Sequence, residues 1–190
     1  MEALFLILIG AALFSHSWSL LGLYHEERTM GMYVGGLGLV SLIALMLAPM
    51  LLTAIDAEGA VVSPDMMAAQ TNVMKVLIIL WAGYAIGVGA HGLWEFDDRA
   101  IGFYSAFLFA GSLIALVYYA IELEGVYGDD VWFGLSAAFL ALTVLAAMLF
   151  FYLAIPFIAL RKVAGWFMLV GSIAVAGIGF AILTSLIDVG

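Results

Sequence analysis

Apolar residues fall into six long blocks: Ala3 to Leu21, Tyr33 to Ile55, Val73 to Leu93, Ile101 to Ile121, Val131 to Ile155 and Gly165 to Ile187. Each matches the roughly 20 residues an α-helix needs to cross the hydrocarbon core of a bilayer. None alternates apolar and polar positions as a barrel strand does. The polar positions collect between the blocks, in connections that are short except for Asp56 to Asn72. Short connections predict that consecutive helices pack as antiparallel neighbours. The pattern therefore predicts an all-α integral membrane protein, six transmembrane helices as three two-helix hairpins at about 1–55, 73–121 and 131–187. A single domain then fills 1–190. The first block is preceded by Glu2 rather than a basic region and ends in SHSWSLLGLY, so it reads as a span and not as a cleaved signal peptide.

Composition sharpens this picture. With 67% of residues hydrophobic and 10% charged, the chain cannot wet the surface of a soluble domain. A net charge of −9 excludes a basic nucleic-acid footprint, and the absence of cysteine removes thiolate metal sites, disulfides and cysteine nucleophiles. The basic residues give an orientation. Arg28, Arg99, Arg161 and Lys162 lie in the first, third and fifth connections, and Lys75 alone lies towards the other side. The excess predicts those three connections in the cytoplasm, with both termini and the acidic second and fourth connections on the non-cytoplasmic side of the cell membrane.

The first and third connections repeat. GLYHEERTMGMY (22–33) and GLWEFDDRAIGFY (92–104) align on Arg28 and Arg99, sharing acid-acid-Arg-x-x-Gly-x-Tyr. The fifth keeps a remnant in Lys162 and Gly165. Glu27 and Asp98 stand at helix starts, where the macrodipole favours negative charge, and Gly31, Gly102 and Gly165 permit close helix approach. Three related hairpins are the simplest source of this self-similarity.

No Asp, Glu, Arg or Lys lies near the middle of a block, which argues against ion pumps, proton-coupled carriers and voltage sensors. Apart from Lys75 at the edge of the third block, the basic side chains within spans are His16 and His91, each towards the cytoplasmic end. Paired histidines on two helices invite a haem or metal reading, but two lone imidazoles more often serve a helix contact or a polar vestibule. HEER at 25–28 lacks the second histidine of a metal-binding HExxH, and no P-loop or G-x-S-x-G occurs, so no enzyme, cofactor or metal is expected. What remains is a neutral path. Leu6, Ile9 and Leu13 form one stripe on the first helix, and Leu80, Tyr84 and His91 share a side of the third. A packing stripe has the same period as a pore-lining one.

VGGL at 34–37 and HGLWEFDDRAIGFYSAFLFA at 91–110, with Gly10, Ser15, Tyr84 and Pro156, resemble the urea/amide channel family, the AmiS/UreI group. The resemblance implies three hairpins, a homo-hexameric ring with one pore per protomer, and passive passage of urea or short amides without a cofactor. It implies a pore lined by Leu6, Ile9, Leu13, Leu80 and Tyr84, joined by Ala137, Leu140, Thr143 and Val144 of the fifth helix. His16 stands where urea-conducting members carry an asparagine, and Gly171, beside Ser172, where they carry a glutamate. Their fifth-helix tryptophans are also missing here. The expected partners are the lipid bilayer and a small neutral solute. The alternative is a helical accessory subunit of a larger membrane complex that transports nothing.

Overall fold

A computed structural model describes residues 2–23, 26–52, 64–122, 129–155, 157, 159–184 and 186. Its elements are α1 (Glu2–Leu21), α2 (Glu27–Leu52), α3 (Pro64–Trp94), α4 (Asp98–Val117), α5 (Asp129–Leu149) and α6 (Leu160–Leu183). Two π-helical turns, π1 (Tyr118–Glu122) and π2 (Phe150–Ala154), continue α4 and α5. Among the described residues six helices are long and apolar enough to cross a membrane, so the chain is a multi-pass membrane protein. His25, Pro156, Asp188 and residues 53–63 and 123–128 lie outside the described residues.

The helix boundaries depart from the hydropathy blocks for local reasons. Helix α3 begins at Pro64, nine residues before Val73, because proline fits the first helical position and its missing N–H removes no bond there. Much of what reads as a long polar connection is thus helix. Helix α1 stops at Gly22, whose φ of 71° allows the amides of Gly22 and Leu23 to bond back to Ser19 and Trp18. Helix α4 starts on Asp97, whose carboxylate accepts the Arg99 amide at 2.9 Å.

The six helices form a closed ring in chain order, each packed on its two neighbours, with a further contact between α1 and α3 across the interior. The seams alternate. The most extensive packing joins α2 to α3, α4 to α5 with π2, and α6 back to α1. The seams inside the sequence hairpins, α1–α2, α3–α4 and α5–α6, are looser. Each hairpin therefore grips its neighbours harder than it grips itself.

The turn glycines explain this. A Cβ on Gly31 would lie 3.0 Å from the Gly89 carbonyl on α3, one on Gly102 would run into the Leu153–Ala154 backbone of π2, and one on Gly165 would meet Leu21 of α1 at 2.9 Å. All three repeat glycines thus sit in the three tight seams. Gly22 and Gly92, equivalent in the sequence repeat, do different jobs. Gly22 caps a helix, whereas Gly92 lies inside α3 and lets the Glu27 carbonyl of α2 approach. Without a hydrophobic force between helices in lipid, such backbone approach is a main source of packing attraction.

Candidate functional site

The ring axis is open at the basic end. A cavity of about 100 Å³ is lined by His16, Ser19 and Leu20 of α1, Glu27, Met30, Gly31 and Val34 of α2, and Val88, His91 and Gly92 of α3. Asp98 and Ile101 of α4, Tyr152 and Leu153 of π2, and Arg161 of α6 complete it. Every helix or its π extension supplies a wall, which places this vestibule on the axis of the ring.

Its polar groups are held in place. His91 Nδ1 lies 2.9 Å from Asp98 Oδ1 and also bonds the Phe96 carbonyl. A carbonyl can only accept, so Nδ1 carries a proton and donates to the Phe96 carbonyl and to Asp98. Arg161 Nε donates to the Leu20 carbonyl at 3.2 Å, anchoring α6 to the end of α1 while its guanidinium lines the cavity. Glu27 and Asp98 are the repeat's acids at the helix starts, and both belong to the vestibule wall. Arg28 and Arg99 remain exposed, placed to meet water or headgroups.

The inner limit of the vestibule is a hydrogen bond across the ring. Tyr84 Oη and His16 Nδ1 are 2.9 Å apart, joining α3 to α1. The Tyr84 side chain is buried, and the Trp81 ring meets it edge-on with centroids 5.7 Å apart. Trp81 is itself fixed, its Nε1–H donating to Ser112 Oγ of α4 at 3.1 Å. Beyond this plug Leu6, Ile9, Leu13, Leu77, Phe139 and Leu142 are all buried in one apolar cluster. The far end is tied by one carboxylate oxygen. Glu2 Oε1 accepts from Gln70 Nε2 at 2.7 Å and from Tyr119 Oη at 3.1 Å, and Trp132 Nε1 donates to the Tyr119 carbonyl.

Of the sequence candidates, the structure brings Leu6, Ile9, Leu13, His16, Tyr84 and His91 to the interior or its vestibule. Three others point elsewhere. Leu80 meets Gly111 of α4 with its side chain, so it belongs to the α3–α4 seam. Leu140 is 52% exposed and Val144 37%, which places them on the outside of the ring. The buried face of α5 is instead Leu135, Ala138, Phe139, Leu142, Leu145, Ala146 and Leu149. Helix α5 is apolar all round, so nothing in its pattern orients it, and Leu140 and Val144 of the family stripe lie nearly half a turn from the face that is buried. Ala137 is half-buried, and the buried Thr143 hydroxyl is satisfied by the Phe139 carbonyl at 2.7 Å. Gly171 faces Leu145, whereas Ser172 donates to the Leu169 carbonyl and lies in the α1–α6 seam near Gly10.

Sequence reasoning missed Trp81, Ser112, Tyr152 and the role of Arg161. Trp81 carried a signal, since an aromatic residue three positions before Tyr84 shares its face. Tyr152 carried none. It reaches the vestibule from a π turn, which inserts one residue per turn and rotates the side chains after it.

No family model and no curated protein sequence matches the chain. Its fold does have solved counterparts. The crystal structure of the urea channel from the human gastric pathogen Helicobacter pylori superposes with a TM-score of 0.72 at 15% identity, over 98% of this chain and 99% of that one. The electron cryomicroscopy structure of the Helicobacter pylori urea channel in its closed state gives 0.70 at 18% identity, over 98% and 99%. The present chain is an all-helical membrane protein of urea-channel fold along essentially its whole length.

Proposed function

We propose that the chain is a passive channel for urea, short-chain amides or similarly small neutral solutes. The observation that carries this reading is the axial vestibule, walled by all six helices and leading to a hydrogen-bonded plug at the ring centre. The fold shared with a urea channel supports it. Vestibule chemistry suits an amide, whose N–H groups find carboxylates at Glu27 and Asp98 and whose carbonyl finds a donor at Arg161. Above the plug, the leucine-lined interior offers no replacement for the water an ion would lose, and a neutral solute pays far less for that step. We place the basic end in the cytoplasm, following the arginine and lysine excess. A homo-hexamer with one path per protomer is the assembly we expect.

Stopped-flow light scattering from reconstituted proteoliposomes tests the reading, comparing urea, acetamide and glycerol at pH 7.5 and 5. Fast urea or acetamide re-swelling relative to empty vesicles is expected. Rates equal to empty vesicles at both pH values, from folded and inserted protein, would favour an accessory subunit. Acid is not expected to switch the flux on between about pH 7 and 5. The non-cytoplasmic connections contain no histidine, and carboxylates ordinarily titrate near 4. A sharp activation midpoint near pH 6 would defeat either this expectation or the orientation beneath it.

A further inference from the structure

Tyr84 borders a second cavity, in the loose seam between α3 and α4. This groove of about 270 Å³ runs between Gly83, Gly87 and Ala90 on the α3 side and Ile101 and Tyr104 opposite, and it opens outward past the exposed Phe96, Asp97 and Ala100. A Cβ on Gly87 would meet nothing closer than Ile101 Cγ1 at 3.8 Å, so the glycine leaves room rather than allowing a tight contact. The Tyr104 hydroxyl, donating to the Leu80 carbonyl at 2.9 Å, holds the seam together at the level of Gly83. Tyr84 therefore stands between two places: the ring axis, where it bonds His16, and an unfilled space one helix face away. An aromatic side chain on a helix has two favourable χ1 wells about 120° apart.

Resting on the channel reading, we infer that Tyr84 is a two-position gate whose open position is the α3–α4 cavity, with Gly87 and Ala90 as the positioning residues that keep that cavity free. In the closed position the phenol ring fills the axis and its hydroxyl is latched to His16 Nδ1. In the open position the ring leaves the axis for the groove beside Gly83 and Gly87, and the Leu13 side chain becomes reachable from the vestibule. Trp81, pinned by Ser112, remains as a fixed wall against which the moving ring closes. The gate consists of one side chain and a reserved volume.

The chain has no cysteine, so a single Leu13→Cys substitution is a clean reporter on the far side of the plug. Its reaction with a small methanethiosulfonate reagent, measured on the purified full-length protein in micelles, reports gate opening without reference to any solute. Tyr84→Phe keeps the ring and removes the latch. Loss of one hydrogen bond shifts a two-state balance about fivefold, and labelling is expected to accelerate by that factor. Adding Gly87→Leu fills the reserved volume and is expected to return Tyr84→Phe to the slow rate, whereas Gly87→Ala changes it little. Tyr84→Ala labels fast with or without Gly87→Leu, which shows that the filled variant is folded and its axis passable. Ala90→Leu repeats the block from a second position. Equal labelling of Tyr84→Phe and Tyr84→Phe/Gly87→Leu would overturn the proposal, as would no acceleration in Tyr84→Phe. Expected labelling together with absent urea and amide flux would sink the channel reading and leave the gate standing.

Discussion

The α2–α3 and α3–α4 seams share a helix and use the same residue type to opposite ends. On one side of α3, Gly89 and Gly92 bring backbone against backbone, and an added Cβ at Gly89 would lie 2.7 Å from the Gly35 Cα. On the other, Gly87 faces open room and Gly111 meets only the flexible end of Leu80. Glycine density alone does not distinguish them. What a glycine is for depends on whether its bare face meets a backbone or a gap, and only the first kind holds the ring together.

Substitutions at these positions separate the two uses. Gly102→Ala is expected to act most strongly, because a methyl there collides with the π2 backbone and so displaces Tyr152 and Leu153 from the vestibule wall. Both stability in a detergent unfolding titration and solute flux are expected to fall, the former by about 1–3 kcal/mol as in other overpacked interiors. Gly92→Ala, whose Cβ would sit 2.5 Å from the Glu27 carbonyl, is expected to lose similar stability; an unchanged midpoint would contradict the backbone contact. Ser112→Ala leaves the buried Trp81 N–H without its acceptor and is expected to cost about 1 kcal/mol, with a shift in tryptophan emission that a purely local loss would not produce. Gly87→Ala is the smallest. It is expected to hold or raise stability, by up to about 1 kcal/mol from helix propensity, and a loss as large as that of Gly92→Ala would erase the distinction between the seams.

The number of spans was legible because bilayer thickness imposes a length that hydropathy reports directly. His16, Tyr84 and His91 were legible because a polar ring is rare at that depth and its neighbours are apolar. The seam pattern was not. The repeat marks which residues form a turn, and Gly31, Gly102 and Gly165 mark close approach, but nothing in either says that the approach is to the next hairpin. The inward face of α5 was hidden for a related reason: a helix apolar on every side has no moment to orient it, and Leu140 and Val144 look as fit for the interior as Phe139 and Leu142. The π turns at 118–122 and 150–154 leave no composition signal beyond a cluster of aromatics, although one places Tyr119 on the Glu2 carboxylate and the other places Tyr152 in the vestibule wall.

One seam also bears on how the protein is made. Helix α1 ends at Leu21, and α6, with which it packs most extensively, begins at Leu160. At about 5–20 residues per second, α1 leaves the ribosome and waits roughly 7–28 seconds for that partner. During this interval its small-residue face around Gly10 lies open to lipid or to an insertion chaperone, and the vestibule, which needs walls from all six helices, does not yet exist. Closure of the ring waits for the sixth helix. A chain truncated before α6 lacks both that partner and part of the site.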